Sequence, residues 1–221
     1  MPPIALPNII GWEEVEFDAV KVKETERMEG RRTETVRHAQ GWWKATYRTG
    51  FLNFRDYGRM DAFIKKVDGG GEFFRAHDVF RPRPMAHDNG QPLSGMRAGG
   101  GAFDGTATLS LVVDSRTVDI TGLPALFEFR AGDYVEFRMA DYKLSLHTID
   151  ADVSADPGGA VRLSISYELD TQNFTTAAVV NFEKPSCLMQ IDAGSIEARK
   201  ARRSRRPSFS ASEMFPRIEE I

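Results

Sequence analysis

The stretch from Ala160 to Leu169, "AVRLSISYEL", constrains the fold more than any other part of the sequence. Its large apolar side chains occupy every second position, starting at Val161. The polar positions between them are Arg162, Ser164, Ser166 and Glu168. Successive side chains of a β-strand point to opposite faces, so this pattern predicts a strand with one buried face and one solvated face.

The same two-residue period recurs more weakly along most of the chain. Short segments of this kind, bounded by Gly, Pro, Asp or Asn, indicate a β-sandwich or barrel rather than alternating β-α-β units. We therefore predict a mainly β fold. The further predicted strands are Val15–Val22, Trp42–Thr49, Thr106–Val113, Arg116–Ile120, Tyr134–Met139, Lys143–Asp150 and Ala178–Phe182.

The predicted strand "GWWKATYRTGF" carries two adjacent tryptophans. Alternation places Trp43, Ala45 and Tyr47 on one face. Trp42 falls on the other face with Lys44, Thr46 and Arg48. We expect Trp43 in the core, and Trp42 covered by the loop beside the helix or by a neighbouring subunit.

One amphipathic α-helix is predicted in "NFRDYGRMDAFIKKVDGGG". The apolar residues recur at helical spacing, and either Asn53 or Asp56 can cap the start of the helix. Gly69 can end the helix in the left-handed conformation. The predicted apolar face consists of Met60, Phe63, Ile64 and Val67.

Two segments lack either period. Residues 80–105 are rich in proline and glycine, and we predict that they form a long contact arm, because long loops in compact domains are usually functional or disordered. Residues 194–221 begin with a basic run, and we predict an extended C-terminal arm outside a β-rich domain of residues 1–193. On this interpretation, deleting Arg199 to Ile221 leaves the domain folded but impairs assembly.

Charge and composition exclude several classes of protein. The net charge of −3 argues against a general nucleic-acid binder, although six of the eight residues from Arg199 to Arg206 are basic. The run could bind phosphate groups of a nucleic acid. An electrostatic contact between subunits explains it at least as well. No apolar run approaches the roughly 18 residues of a membrane helix, and the N-terminus lacks a signal-peptide pattern, so we expect no membrane association and assembly in a cytosol-like compartment.

Several residue types could carry chemistry, but none has a supporting pattern. The pairs His77-Asp78 and His87-Asp88 suggest a metal-dependent hydrolase, since imidazole and carboxylate bind divalent metals. Asp150, Asp152 and Asp156 could hold calcium, although turns use the same residues. The single cysteine, Cys187, excludes an internal disulfide. Without a phosphate loop or a nucleophile elbow, we expect no catalytic, cofactor or metal site.

The order of several motifs resembles a known family. The motifs are "GWWKATYRT", "MDAFIKKVDGGGEFF", "AGDYVEF" and "DADVSADPGGAVRLSISYEL", which together span about Trp42 to Asn181. In this order they resemble the distal tail proteins of long-tailed bacteriophages. The resemblance implies a mostly β domain that forms a ring, commonly of six copies, between the tail tube and the hub or fibre of the tail tip.

The same resemblance implies roles and partners for particular residues. Gly132 and Asp133 would form the turn before one strand, and residues 156–159 the turn before another; these are fold positions, not catalytic ones. The expected partners are further copies of this chain, the tail tube protein and the hub proteins, with DNA only passing through the lumen. The expected location is the virion tail tip. The residues predicted to contact neighbouring subunits are Trp42, Arg199, Lys200, Arg202, Arg203, Arg205, Arg206, Phe209 and Phe215.

Two alternatives remain open at this stage. The first is a carbohydrate-binding or receptor-contacting β-sandwich, in which Trp12, Trp42 or Trp43 stacks on a sugar. The second is the metal-dependent hydrolase that uses the two His-Asp pairs.

Overall fold

The computed structural model of the chain describes residues 3–21, 23–27, 33–37, 41–68, 72–198 and 205–216. The fold is mainly β with one α-helix, as the sequence predicts. The elements are β1 (Ile4–Ala5), β2 (Trp12–Val20), β3 (Lys23–Arg27), β4 (Thr33–Arg37), β5 (Trp42–Thr49), α1 (Phe54–Asp68), β6 (Phe74–Ala76), β7 (Gly95–Met96), β8 (Ala102–Phe103), β9 (Thr106–Asp114), β10 (Thr117–Thr121), β11 (Glu128–Phe129), β12 (Tyr134–Ala140), β13 (Lys143–Ile149), β14 (Val153–Ser154), β15 (Val161–Ser166), β16 (Val179–Asn181), β17 (Cys187–Ile191) and β18 (Ser208–Glu213).

Two β structures organise these strands. The large sheet has six strands in the order β1-β6-β17-β18-β5-β2, and the barrel is closed by β10-β15-β13-β12-β16-β9. All barrel strands come from residues 106–181, whereas the strands of the large sheet come from the chain before and after that region. The barrel is therefore inserted in the sequence between two groups of strands that pair with each other.

The helix covers one part of the inner face of the large sheet. Phe63 of α1 contacts Phe209 of β18, with ring centroids 5.9 Å apart, and Phe209 stacks on Tyr47 of β5 at 5.2 Å. Asn53 caps the helix, because its side-chain oxygen accepts the backbone N–H of Asp56 at 2.9 Å. The predicted helix and its apolar face are confirmed, since Met60, Phe63, Ile64 and Val67 are all buried.

The outer wall of the barrel covers the rest of that face. The indole Nε1 of Trp43 donates a hydrogen bond of 2.8 Å to the carbonyl of Leu146 in β13. Its ring also packs against Tyr134 of β12 and Phe17 of β2, with centroid distances of 5.7 and 5.3 Å. Trp43 is buried, as predicted, and it joins the large sheet to the barrel.

A buried carboxylate forms a second connection where the chain leaves the barrel. Glu136 of β12 is completely buried, and its Oε2 accepts hydrogen bonds from the Asn181 side chain and from the backbone and hydroxyl of Ser186. Arg138 donates to the other carboxylate oxygen at 2.7 Å. A buried carboxylate is tolerated only when it is paired and hydrogen-bonded in this way. These bonds fix the path from β16 to β17.

The structure corrects the prediction that residues 80–105 form a contact arm. Leu93 and Phe103 lie in the apolar core of the barrel. Arg83 is buried and forms two bonds to the Glu183 carboxylate, at 2.7 and 2.8 Å. The segment therefore contacts its own barrel, because Leu93, Phe103 and Arg83 have partners there that the sequence pattern does not reveal.

The structure also corrects the prediction that residues 194–221 lie outside the folded domain. Strand β18 pairs with β5 on one side and with β17 on the other, and Phe209 at 2% exposure belongs to the core of the large sheet. Glu197 and Ser208 exchange backbone hydrogen bonds of 2.9 and 3.0 Å. The basic run is thus held at both ends, between the chain that follows β17 and β18.

Boundaries of the predicted strands differ for identifiable reasons. The prediction for Trp42–Thr49 matches β5 at both ends. Strand β15 ends at Ser166 instead of Leu169 because Tyr167 has a φ of 71°, in the left-handed region, which ends the extended run. The two-residue strands carry too few residues to show any period.

Removing the Phe209 side chain tests whether β18 is part of the fold. We expect Phe209→Ala to lower the free energy of unfolding by about 3–5 kcal/mol, because it leaves a cavity under the sheet. Phe215→Ala is the matched control: Phe215 is 66% exposed, and we expect a change within about 0.5 kcal/mol. Urea unfolding followed by circular dichroism measures both. Equal stability of the two variants would contradict the central position of β18.

Candidate functional site

The first His-Asp pair is engaged in structural contacts. Burial lowers the pKa of His77 to about 4, because the charged imidazole is disfavoured away from water. The Asp78 carboxylate accepts the backbone N–H of Phe80 at 2.9 Å and the Arg81 Nε at 3.0 Å. The Tyr134 hydroxyl donates to the same carboxylate at 3.3 Å. Asp78 therefore orders the start of the 80–105 segment against the barrel.

The second pair makes different contacts. The Nε2 of His87 accepts the backbone N–H of Glu128 at 3.1 Å, and its ring stacks on Phe127 with centroids 3.9 Å apart. Asp88 forms an ion pair of 3.2 Å with Arg83. Within the described residues, no three His, Cys, Asp or Glu side chains are grouped so that they could hold a metal ion. The geometry therefore gives no support to a metal-dependent hydrolase.

Two of the three aspartates considered for calcium stabilise turns, and the third, Asp150, accepts the hydroxyl of Ser166. Asp156 accepts the backbone N–H of Ala160 at 2.9 Å, and Asp152 accepts that of Ala131 at 2.8 Å. Gly159, in the same turn as Asp156, has a φ of 75°, and a Cβ there would lie 2.2 Å from the carbonyl oxygen of Leu123. Because of this backbone angle and this close approach, the position requires glycine. The turn leads directly into β15.

The turn before β12 is built in a similar way. Gly132 has a φ of 92°. The Asp133 carboxylate accepts backbone N–H groups from Arg130 at 2.7 Å and from Met85 at 2.9 Å. Desolvation raises the pKa of Asp133 despite these bonds. Asp133 thus connects the barrel to the 80–105 segment, which is a fold position.

The tryptophans differ in their exposure. Trp43 is buried in the core, so it offers no surface for a sugar. Trp12 is half-buried and packs on Tyr47, with centroids 5.4 Å apart. Trp42 is also half-buried, on the outward face of β5. The predicted division of the two faces of β5 is confirmed, and contact of Trp42 with a neighbouring subunit stays a prediction.

A cavity of about 640 Å³ lies beside Trp43, between the large sheet and the barrel. It is lined by apolar and polar side chains, which include Leu188, Phe174, His147 and Glu213. The Glu213 carboxyl accepts the backbone N–H of Trp43 at 2.9 Å, and burial raises its pKa to about 8. This group is therefore largely protonated at neutral pH.

A serine and a histidine in the wall of this cavity have the geometry of a nucleophile and its base. The Ser145 Oγ lies 2.8 Å from His147 Nε2, and His147 Nδ1 lies 3.1 Å from the carbonyl oxygen of Ser166. Since that carbonyl only accepts, Nδ1 carries the proton and Nε2 accepts the serine hydroxyl. Burial lowers the pKa of His147 to about 4, so the imidazole is a weak base. The hydrogen bonds of the pair satisfy buried polar groups in the cavity wall.

Among the described strands, β2 forms one long edge of the large sheet. Strand β2 pairs with β5 on one side, and it is the last strand of the sheet on the other. Its outward face carries three exposed carboxylates, Glu14, Glu16 and Asp18. Glu14 forms an exposed ion pair of 2.9 Å with Arg48 of β5. An acidic edge of this kind resists nonspecific strand addition while still presenting unpaired backbone groups.

Beyond β2 and β5, strands β3 and β4 form a two-stranded ribbon. They pair with each other from Lys23 opposite Arg37 to Arg27 opposite Thr33, in a sheet that contains no other strand. In the sequence, the ribbon lies between β2 and β5. Its two strands, "KETER" and "TETVR", contain only one aliphatic residue, Val36. The side-chain pattern does not predict this ribbon, because strongly charged strands lack an apolar period.

The residues predicted to contact neighbours lie in several places. Arg199, Lys200, Arg202 and Arg203 lie outside the described residues. Phe209 is in the core of its own chain, which corrects its assignment as an intersubunit contact. Phe215 is exposed, Arg206 lies 4.0 Å from Glu13, and Arg205 packs on Phe51 and Phe54.

No protein-family model matches the chain, and no curated protein matches it in sequence. Among the described residues, no helix combines the length and the apolar character that crossing a membrane requires. The function must therefore be inferred from the surfaces of the chain itself.

The buried Glu213 carboxyl predicts a pH dependence of stability. Its ordinary pKa is 4.5, so between pH 7 and 8 the unfolded chain is ionised while the folded chain retains the proton. The stabilisation is complete below pH 4.5 and is lost as the pH rises through 8. We expect the free energy of unfolding to fall by about 1 kcal/mol more between pH 7 and 8 in the wild type than in Glu213→Gln.

The Glu213→Gln variant retains an oxygen that accepts the Trp43 N–H, so it is a matched control. The buried histidines titrate at lower pH and contribute equally to both proteins. Urea titrations at pH 7.0, 7.5 and 8.0 give the comparison. Identical slopes in the two proteins would show that the Glu213 pKa is not raised.

Proposed function

We propose that this protein is a structural component of a bacteriophage tail tip. It forms a homo-oligomeric ring, of six copies in the resembled family, between the tail tube protein on one side and the hub or central fibre on the other. In this role it acts by self-assembly and without catalysis. It is assembled in the host cytoplasm, resides at the virion tail tip and meets DNA only in the lumen.

The observation that carries this proposal is a pair of β surfaces, the β2 edge and the β3-β4 ribbon, that pair with no further strand among the described residues. An isolated two-stranded ribbon is marginally stable in water, and an open sheet edge presents unpaired N–H and C=O groups. A second copy that packs on these surfaces would stabilise both. Closed rotational symmetry would then stop growth at a fixed number of copies.

The motifs that resemble distal tail proteins support the proposal from the sequence. Residues of "AGDYVEF" and "DADVSADPGG" lie in the turns that precede β12 and β15, which are the fold positions that the resemblance implies. Of the three tryptophans considered for sugar binding, Trp43 is buried. Neither remaining tryptophan is fully exposed.

Removing the ribbon tests the proposal. Replacing residues 22–40 with Asn-Gly closes the β2-β5 hairpin with a two-residue turn between Lys21 and Gly41. We expect the wild type to form a ring-sized oligomer by size-exclusion chromatography with light scattering, and rings by electron microscopy. We expect the shortened variant to stay folded but to require at least a tenfold higher concentration to assemble.

Circular dichroism and thermal unfolding provide the control for folding of the shortened variant. Lys184→Glu, an exposed substitution outside the large sheet, is a control for surface charge. A wild-type chain that stays monomeric at high concentration and is absent from purified virions would refute the ring. Oligomers of the shortened variant that match the wild type would refute the role of the ribbon.

A further inference from the structure

An exposed apolar patch surrounds one arginine at the start of α1. Ile10 is 89% exposed, Phe51 is 51% exposed and Phe54 is 82% exposed. The backbone N–H of Gly50 donates to the carbonyl of Gly11 at 2.8 Å, which brings the segments that carry Ile10 and Phe51 together. We call Ile10, Phe51, Phe54 and Arg205 the arginine patch. Large apolar side chains grouped at the surface mark an interaction site.

The guanidinium of Arg205 is held between the two aromatic rings. It lies 4.7 Å from the centroid of Phe51 and 3.9 Å from that of Phe54. Its Nε and Nη1 are buried, and they have no hydrogen-bond partner among the described residues. Contact with the rings compensates only part of the cost of desolvating the cation. A carboxylate supplied from outside would provide both the missing acceptor and the missing charge.

The surroundings of the patch favour an acidic partner. Arg206 follows Arg205, and Arg55 is exposed at the start of α1. The N-terminus of α1 adds a partial positive charge. Two carboxylates of this region are already engaged, since Glu13 lies 4.0 Å from Arg206 and Asp56 is bonded to the Asn53 side chain and to Arg59.

One segment of this chain has the complementary chemistry. Residues 217–221, "RIEEI", combine two glutamates with two isoleucines. We infer that the arginine patch binds residues 217–221 of a second copy, with Glu219 or Glu220 paired to Arg205 and the isoleucines packed against Phe51, Phe54 and Ile10. This inference rests on the proposed self-assembly, and it names one interface of the ring.

Geometry favours a second copy over the same chain. The patch lies where β18 begins, since the Leu52 N–H donates to the carbonyl of Arg205 at 3.0 Å. Residues 214–216 follow the opposite end of β18, where the Met214 N–H donates to Leu188. Five fully extended residues reach about 17 Å, which is no more than the length of β18 itself. A contact between opposite ends of two copies is head-to-tail, the kind that generates rings.

Disulfide trapping between full-length chains tests the contact directly. The only native cysteine, Cys187, is buried. We would mix a Phe54→Cys chain with an Ile218→Cys chain that carries a different affinity tag, and oxidise the mixture at assembly concentration. We expect the mixed disulfide to exceed each homodimeric disulfide at least fivefold. The same mixture with Arg116→Cys in place of Phe54→Cys, an exposed position on the barrel, is the matched control.

Charge exchange tests the ion pair without requiring a new bond. We expect Arg205→Glu, and separately Glu219→Arg with Glu220→Arg, to raise the concentration for half-assembly at least tenfold. Combining all three changes in one chain should return that concentration to within about threefold of the wild-type value. Restoration by the combined chain excludes misfolding as the cause of either loss.

Several outcomes would overturn the inference. In the first, the wild type forms an oligomer but the Phe54→Cys and Ile218→Cys chains form no mixed disulfide. This result would refute the contact and leave the proposed ring intact. A second is a disulfide within one chain that carries both cysteines, which would show that the segment folds back on its own patch. A third is an Arg205→Glu chain that loses binding of a labelled single-stranded oligonucleotide but assembles normally, which would make the patch a nucleic-acid site. The two proposals can also fail separately in the other direction. If the wild type is monomeric but the Phe54→Cys and Ile218→Cys chains still form the mixed disulfide, the ring is refuted and the contact is retained.

Discussion

The structure depends on covering one continuous apolar face, the inner face of the large sheet. Neither the helix nor the barrel covers it alone. Phe63 of the helix packs on Phe209 in one part of the face, and Tyr134 of the barrel packs on Trp43 in another. Because a hydrogen bond joins the Trp43 indole to Leu146, the contact is directional as well as apolar. A sheet side chain therefore sets the position of the barrel.

The insertion of the barrel between the strands of the large sheet imposes a second requirement. The chain must leave the barrel after β16 and return to the sheet at β17, and buried polar groups along this path need partners. Glu136 supplies them through its bonds to Asn181 and Ser186. The sheet that results combines strands separated by more than a hundred residues, which leaves β2 at its edge and the β3-β4 ribbon beyond it. The surfaces that we propose for assembly are thus consequences of the topology.

Local pattern predicts local structure well in this protein. Where one face of an element is buried and the other solvated, as in β5, β15 and α1, the period is visible and the prediction is confirmed. It fails where burial depends on a few distant partners. Arg83 is buried only because Glu183 lies opposite it. The strand "SFSASE" has a largely polar sequence, although its Phe209 and Ala211 are buried. The charged ribbon has no apolar period at all. Two residues predicted to contact neighbours show the same dependence. Phe209 belongs to the core, whereas the guanidinium of Arg205 lies against the rings of Phe51 and Phe54.

The sequence by itself determined the class of fold, the helix with its apolar face, and the division of the two faces of β5. These features depend on residues close together in the chain, whose side-chain period and backbone preferences act locally. Only the tertiary structure decided that β18 is central, that the basic run is held at both ends, and that the His-Asp pairs are separate structural contacts. Those outcomes depend on which distant groups become neighbours, because hydrogen bonding and burial of a polar or isolated apolar side chain are properties of its surroundings.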